Sequence, residues 1–327
     1  MRAVAGHASR MDLLLAAPGQ TVFWQPQKRI AICSPPKIGT SFSHSWLVWS
    51  EVSPETACKY GVQQLSSEAK QFCADAGIAK TGDLYAPHNF ESLVMHRGHL
   101  RALLPADHRD WRLFVLARDP WSRLMSGFSN KILGISGHSA NKTNHVTLRE
   151  IHNFIPSLDA RAASHNETAS AKLAMVLRAL AERPALPNPH FARQSDLCLH
   201  RRFEAVLQQN STRVAAIDRG GFDDVSEALG HGRSGALSAQ HLFRGAEPAA
   251  TAVQPGRRLP EARVGCLCVA TELLLRVYRE FLAADYAALA RFGLEYPASQ
   301  SALNGSPLGG RARVCGYAIS YEAECVE

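Results

Sequence analysis

Arg29-Ile30-Ala31-Ile32-Cys33-Ser34-Pro35-Pro36-Lys37-Ile38-Gly39-Thr40-Ser41 decides how the rest of the chain is read. The apolar run Arg29 to Cys33 has the length and composition of a buried strand. Two prolines and a glycine then force a loop. From Phe42 to Ser50 the spacing of Phe42, Trp46 and Trp49 predicts a helix. Strand, loop and helix in that order open an α/β nucleotide-binding unit. A loop entering a helix presents unpaired backbone N–H groups and the positive end of the helix dipole. Lys37 adds mobile charge, and Thr40 and Ser41 add hydroxyl donors. Together they suit a phosphate-like anion, although an ordinary strand-to-helix turn with a surface lysine reads the same way. A P-loop kinase needs GxxxxGK[ST]. Here Lys37 precedes Gly39 and no first glycine exists, so that motif is not met.

A second unit repeats the pattern. Trp111 to Ala117 reads as a buried strand, and Trp121 to Leu133 as a helix carrying Leu124, Phe128 and Ile132 on one face. Between them Asp119 is a natural N-cap and Pro120 suits the first helical position. Arg118 at the strand end and Ser126 on the helix suit a phosphate monoester, a guanidinium fork plus a hydroxyl. Strand ends of a doubly wound sheet meet at one crevice, which would bring both loops to one nucleotide.

The pair of segments Cys33–Ser41 and Arg118-Asp119-Pro120-Trp121-Ser122-Arg123-Leu124-Met125-Ser126 resembles the two donor-binding signatures of Golgi carbohydrate sulfotransferases (sulfotransferase family 2). The nearest likeness is to the branch containing chondroitin and dermatan sulfotransferases. Three later stretches are similar to segments of that branch: Asn188 to Cys198, Val214 to Asp218, and Tyr278 to Tyr286 with Phe292-Gly293-Leu294. Arg193, Asp218 and the extra residues between Asp285 and Phe292 depart from it.

The resemblance implies an α/β, P-loop-like sulfotransferase fold with a central, mainly parallel sheet flanked by helices. It places an N-terminal extension at 1–28, the sulfotransferase domain at 29–296 and a C-terminal tail at 297–327. It implies 3′-phosphoadenosine 5′-phosphosulfate (PAPS) as sulfuryl donor, held by Pro36, Lys37, Ile38, Gly39, Thr40 and Ser41 at the 5′ end and by Arg118 and Ser126 at the 3′-phosphate. Direct in-line transfer to a glycan hydroxyl would follow, with Lys37 catalytic and no metal required. A general base is then expected. His88, in Tyr85-Ala86-Pro87-His88-Asn89-Phe90, is the first choice and His190 the second. Two alternatives stay open: a non-catalytic anionic-glycan-binding protein on the same fold, and a nucleotide phosphotransferase.

Composition sets the remaining bounds. Hydrophobic residues make up 46% of the 327, enough for a full core. Lys plus Arg exceed Asp plus Glu by 36 − 29 = 7, a modest excess that attracts anions without marking a nucleic-acid binder. Arg123 and Lys131 read as charges on a solvated helix face, and Trp46 and Trp49 as core packing. The eight cysteines contain no CxxC pair, which argues against zinc, and leave the pairing open; Cys33 reads as a core thiol. Sequons at Asn141, Asn166, Asn210 and Asn304, with the family resemblance, favour the Golgi lumen. Met11 to Pro18 is too short to span a bilayer, which takes ~20 apolar residues. Either the protein is soluble or an upstream anchor is missing. Further helices are predicted over Asn89–Leu104, Leu148–Leu158, Ala169–Glu182, Phe222–Leu229 and Val264–Phe292, the last with a break near Ala283. A strand is predicted over Arg213–Asp218, a mobile insertion over Leu237–Arg263, and little order from Pro297 to Val314.

Overall fold

A computed structural model describes residues 22–25, 28–36, 38, 54–59, 67–79, 96–97, 111–132, 168–182, 190–201, 207–208, 211–219, 221–230, 266–305, 309–322 and 325. The expected helices at Phe42–Ser50 and Leu148–Leu158 and the insertion at Leu237–Arg263 lie outside these residues. The chain forms two compact units, one of residues 1–117 with 196–244, the other of 118–195 with 245–327.

The first unit is built on a five-stranded sheet. Its strands are β1 (Val22–Gln25), β2 (Ile30–Cys33), β3 (His96–Arg97), β4 (Arg112–Ala117) and β5 (Thr212–Ala216), in the order β3-β1-β2-β4-β5. The run beginning at Arg29 is β2, and it lies parallel to β4, with Ile30 opposite Arg112 and Cys33 opposite Val115. β5 continues the parallel set beside β4. Parallel neighbours need long crossovers, and the intervals between these strands supply them. Strands so placed are covered on both faces, which is why they read as unbroken apolar runs. Every residue of β2 is buried, as are Leu113 to Ala117 of β4. Each of Ile30 and Ile32 contributes about 1.5–3 kcal/mol by burial.

Helix Gly221–Leu229 packs on β5. Its last carbonyls are not left to water: Lys28 Nζ donates to Leu229 O and Arg112 donates to Ala228 O, each at 2.7 Å. Two cations therefore meet the negative end of the helix dipole, and Gly230, at φ 87°, ends the helix in the left-handed conformation that favours glycine. In the same unit α1 (Pro54–Lys59) and α2 (Ser67–Asp75) pack together and are joined by Cys58–Cys73.

The second unit contains α3 (Pro120–Lys131), α4 (Ala169–Glu182), and, past the Gly221–Leu229 helix of the first unit (α5), a short strand β6 (Leu267–Ala270) followed by a long helical run. That run comprises α6 (Thr271–Val277), one π-type turn at Tyr278–Leu282 and α7 (Ala283–Ala290). α8 (Pro297–Asn304), β7 (Arg311–Cys315) and β8 (Ala318–Glu322) complete it. Strands β6, β7 and β8 form a three-stranded antiparallel sheet.

Several expectations are corrected. Residues 96–97 form a strand paired to β1, not part of a helix over Asn89–Leu104. Val264–Phe292 is not helical throughout, since Leu267–Ala270 pairs with β7. The helix is widened at Tyr278–Leu282 and not broken near Ala283, because the backbone passes into α7 without leaving the helical region. The stretch from Pro297 to Val314 holds α8 and most of β7. β1 falls within the stretch read as an extension, and β7 and β8 within the stretch read as a tail. The strand at Arg213–Asp218 is shifted to Thr212–Ala216, because Ile217–Arg219 turns as a 3₁₀ segment.

All eight cysteines are paired: Cys33–Cys198, Cys58–Cys73, Cys266–Cys315 and Cys268–Cys325. Cys33 is therefore not a free core thiol. It ties the end of β2 to the segment after residue 195.

Candidate donor site

In the first unit β2 delivers the chain into Ser34, Pro35 and Pro36, and Ser34 is wholly buried. The side chain of Ile38 is fully buried too, so it pins the loop to the core. Pro36 and Ile38 are thus the described members of the expected phosphosulfate loop. Lys37, Gly39, Thr40, Ser41 and the expected base His88 lie outside the described residues.

In the second unit the site begins at Arg118, the residue after β4, and its surroundings are built in layers. Asp119 caps α3 as the sequence predicts: one carboxylate oxygen accepts from Ser122 N at 2.8 Å, and Pro120 occupies the first turn. The other oxygen accepts from the Tyr286 hydroxyl at 3.1 Å. Burial and the neighbouring Asp119 charge push the Tyr286 phenol far above its ordinary value, so it stays a donor. Ser126 lies two turns along α3 and is half-buried. Beside it, a Cβ on Gly127 would stand 3.1 Å from His190 O and 3.3 Å from the Phe191 ring, so α3 and the 190–191 turn meet where no side chain intervenes. His190 enters the described structure through this turn.

Gln194 grips Arg118 at both backbone groups. Its Oε1 accepts from Arg118 N at 3.1 Å, and its Nε2 donates to Arg118 O at 2.8 Å. Gln194 is itself placed by Asp285, whose carboxylate accepts from Gln194 N at 2.9 Å and Ser195 N at 2.7 Å. Asp285 is buried completely; burial pushes its carboxyl above the ordinary range, opposed by those two N–H groups and by the charge of Arg123. Arg123 is not on a solvated face. It is buried and donates to Ala192 O at 2.6 Å, and burial lowers its guanidinium to about 10, against the pull of Asp285.

The Arg118 side chain is only 7% exposed. Its guanidinium lies 5.0 Å from the centre of the Tyr317 ring, a cation–π contact. Trp121 Nε1 donates to Tyr317 O at 2.9 Å and so fixes the β7–β8 turn that carries this ring. No hydrogen bond or ion pair reaches the guanidinium among the described residues, and Nε is buried without a partner. A buried cation with idle donors is an anion receptor in chemical terms. Tyr317, Gln194, Asp285 and Tyr286 were not picked out as site residues from the sequence. Asp285-Tyr286 carried a signal, since it lies in one of the family-like segments; Tyr317 carried none.

Parallel strands β2, leading into Ser34-Pro35-Pro36, and β4, leading into Arg118 and the Asp119-capped helix α3, fit the frame of a sulfotransferase-type α/β fold. Residues 21–212, more than half of the chain, match the sulfotransferase family model, and the chain belongs to that family, whose reaction class is sulfuryl transfer. No curated protein and no solved structure matches it. Among the described residues no helix is long and apolar enough to cross a membrane.

Proposed function

We propose that this protein transfers a sulfuryl group from PAPS to a hydroxyl of a carbohydrate acceptor in the Golgi lumen. The observation that carries the donor assignment is the buried Arg118 guanidinium without a hydrogen-bonding or ionic partner among the described residues. Such a group fits a 3′-phosphate, the feature that separates PAPS from ATP, and Ser126 adds a hydroxyl from α3, the helix that follows. Pro36, Lys37, Ile38, Gly39, Thr40 and Ser41 hold the 5′ end: backbone N–H groups and hydroxyls cradle the phosphate, and Ile38 anchors the loop from the core.

When bound, PAPS supplies an activated sulfuryl group on a phosphate leaving group. Lys37 stabilises negative charge on the oxygen that stays with the phosphate, an interaction stronger in the transition state than before it. His88 accepts the acceptor hydroxyl's proton as that oxygen bonds to sulfur. The pairing of all eight cysteines supports an oxidising compartment, as does the exposed sequon Asn304 at the end of α8.

Calorimetry with PAP, ADP and 5′-AMP tests the donor assignment. PAP is expected to bind at least tenfold more tightly than ADP in the wild type, with the preference lost in Arg118→Ala. Equal affinity for PAP and ADP would sink the assignment. Radiolabelled PAPS with a panel of glycans then tests the acceptor class.

A further inference from the structure

We infer that the second unit carries a separate binding cleft for an acidic glycan, formed by Arg178, Arg276 and Arg311. The inference deepens the carbohydrate reading and rests on it. A cavity of about 820 Å³ opens where the first half of α4 runs beside β6 and α6. Ligand pockets commonly occupy ~300–1,000 Å³, so the space suits a short oligomer and far exceeds a single inorganic ion. Three arginines reach it from three different elements: Arg178 from α4, Arg276 from α6 and Arg311 from β7. None of the three guanidinium groups has a hydrogen-bond or ion-pair partner among the described residues. Among the described residues Glu272 is the sole acidic side chain of the lining, so the balance there is 3 − 1 = 2 positive charges.

The local folding explains why the cleft stays open. Ser170 Oγ accepts from Cys268 N at 2.8 Å, which fixes the start of α4 against β6. Further along the same helix face stand Ala171 and Ala174, too small to fill the gap before Arg178. Cys268–Cys325 holds the far wall. Guanidinium forks on separate elements select a ligand whose sulfate or carboxylate groups are distributed along its length. Among the described residues the lining contains no aromatic ring on which a nucleobase would stack. An acidic glycan meets both conditions, and in this setting it is the acceptor chain or its flanking sugars.

The test is titration of the intact protein with a size-defined, sulfated uronic-acid-containing hexasaccharide, its desulfated counterpart, and a single-stranded oligonucleotide of matched charge. Arg178→Glu and Arg276→Glu are each expected to weaken the sulfated hexasaccharide at least tenfold. Arg279→Glu, an exposed control with the same charge change, is expected to change it less than twofold. Glu272→Gln is expected to tighten binding two- to threefold, and raised salt to weaken it. The inference is overturned if the cleft variants behave like Arg279→Glu, or if the oligonucleotide binds as well as the glycan through the same arginines. PAP affinity is measured on every variant. Silent cleft variants with normal PAP binding defeat this inference alone, whereas wild type that binds the glycan here but shows no PAP preference defeats the donor reading instead.

Discussion

Arg118 is costly to the folded protein when nothing is bound. A guanidinium that is nine-tenths buried has given up water and receives in return a cation–π contact with Tyr317, worth about 1–2 kcal/mol. Desolvation of an unpaired charge costs more than that. Arg118→Met keeps the length and removes the charge. It is expected to raise ligand-free stability by about 1 kcal/mol, or roughly 2–4 °C in Tm for a domain of this size, while abolishing stabilisation by PAP. Differential scanning fluorimetry with and without PAP checks both halves. A lower Tm without ligand would mean that Arg118 already has an anionic partner in the free protein. Tyr317→Leu is expected to raise the donor KM several-fold with kcat little changed, because the ring orients the guanidinium and does not touch the reacting atoms. The place of Arg118 between β4 and the capped start of α3 was legible in the sequence, since a strand end followed by Asp-Pro is a local signal. The buried state of Arg123 was not: its partners, Ala192 and Asp285, come from distant segments, and helical spacing alone does not disclose them.

Among elements, the tie from α7 through Gln194 to Arg118 is what keeps Arg118 in place. Gln194→Ala would leave Arg118 N and O without their side-chain partners in a buried setting, costing about 2 kcal/mol. Asp285→Asn turns one acceptor oxygen of a buried carboxyl into an NH2 donor facing the Gln194 or Ser195 N–H; about 2 kcal/mol is expected. The pH dependence has a definite sign. Because burial raises the Asp285 carboxyl, the folded chain holds its proton more tightly than the unfolded chain. That contribution is complete below the ordinary value of ~3.9 and declines as pH rises through the folded value. Asparagine does not titrate, so the stability gap between wild type and Asp285→Asn should narrow from about pH 4 upward in urea unfolding. A gap that widens would mean that the N–H groups and Arg123 outweigh burial. Elements with local signals were the ones the sequence disclosed: α4 keeps its predicted bounds, and α3 starts at its Asp119 cap. β7 was hidden despite its alternating burial, because flanking glycines and serines imitate a loop and its partners β6 and β8 do not mark themselves.

For the whole molecule, the cysteines decide more than the sequence could say. Eight cysteines allow 105 pairings, and only the fold selects one. Cys33–Cys198 closes a loop of 165 residues, and chain entropy predicts about 2–5 kcal/mol for such a link. Cys266–Cys315 and Cys268–Cys325 act differently: both start at or beside β6 and fasten the small antiparallel sheet, which has little core of its own. Protein made in an oxidising compartment should therefore show no alkylatable thiol after denaturation without reductant, and non-reducing peptide mapping should recover these four pairs. Cys33→Ser with Cys198→Ser should lower stability by about 3 kcal/mol and weaken PAP binding, because β2 leads directly into Ser34-Pro35-Pro36, the start of the segment proposed to hold the 5′ end. Replacing Cys58 and Cys73 should do neither to the same degree, since that bridge spans 15 residues within a helical pair. Stoichiometric free thiols in active protein would overturn both the pairing and the lumenal placement, because a family member that works with reduced cysteines has no need of an oxidising compartment.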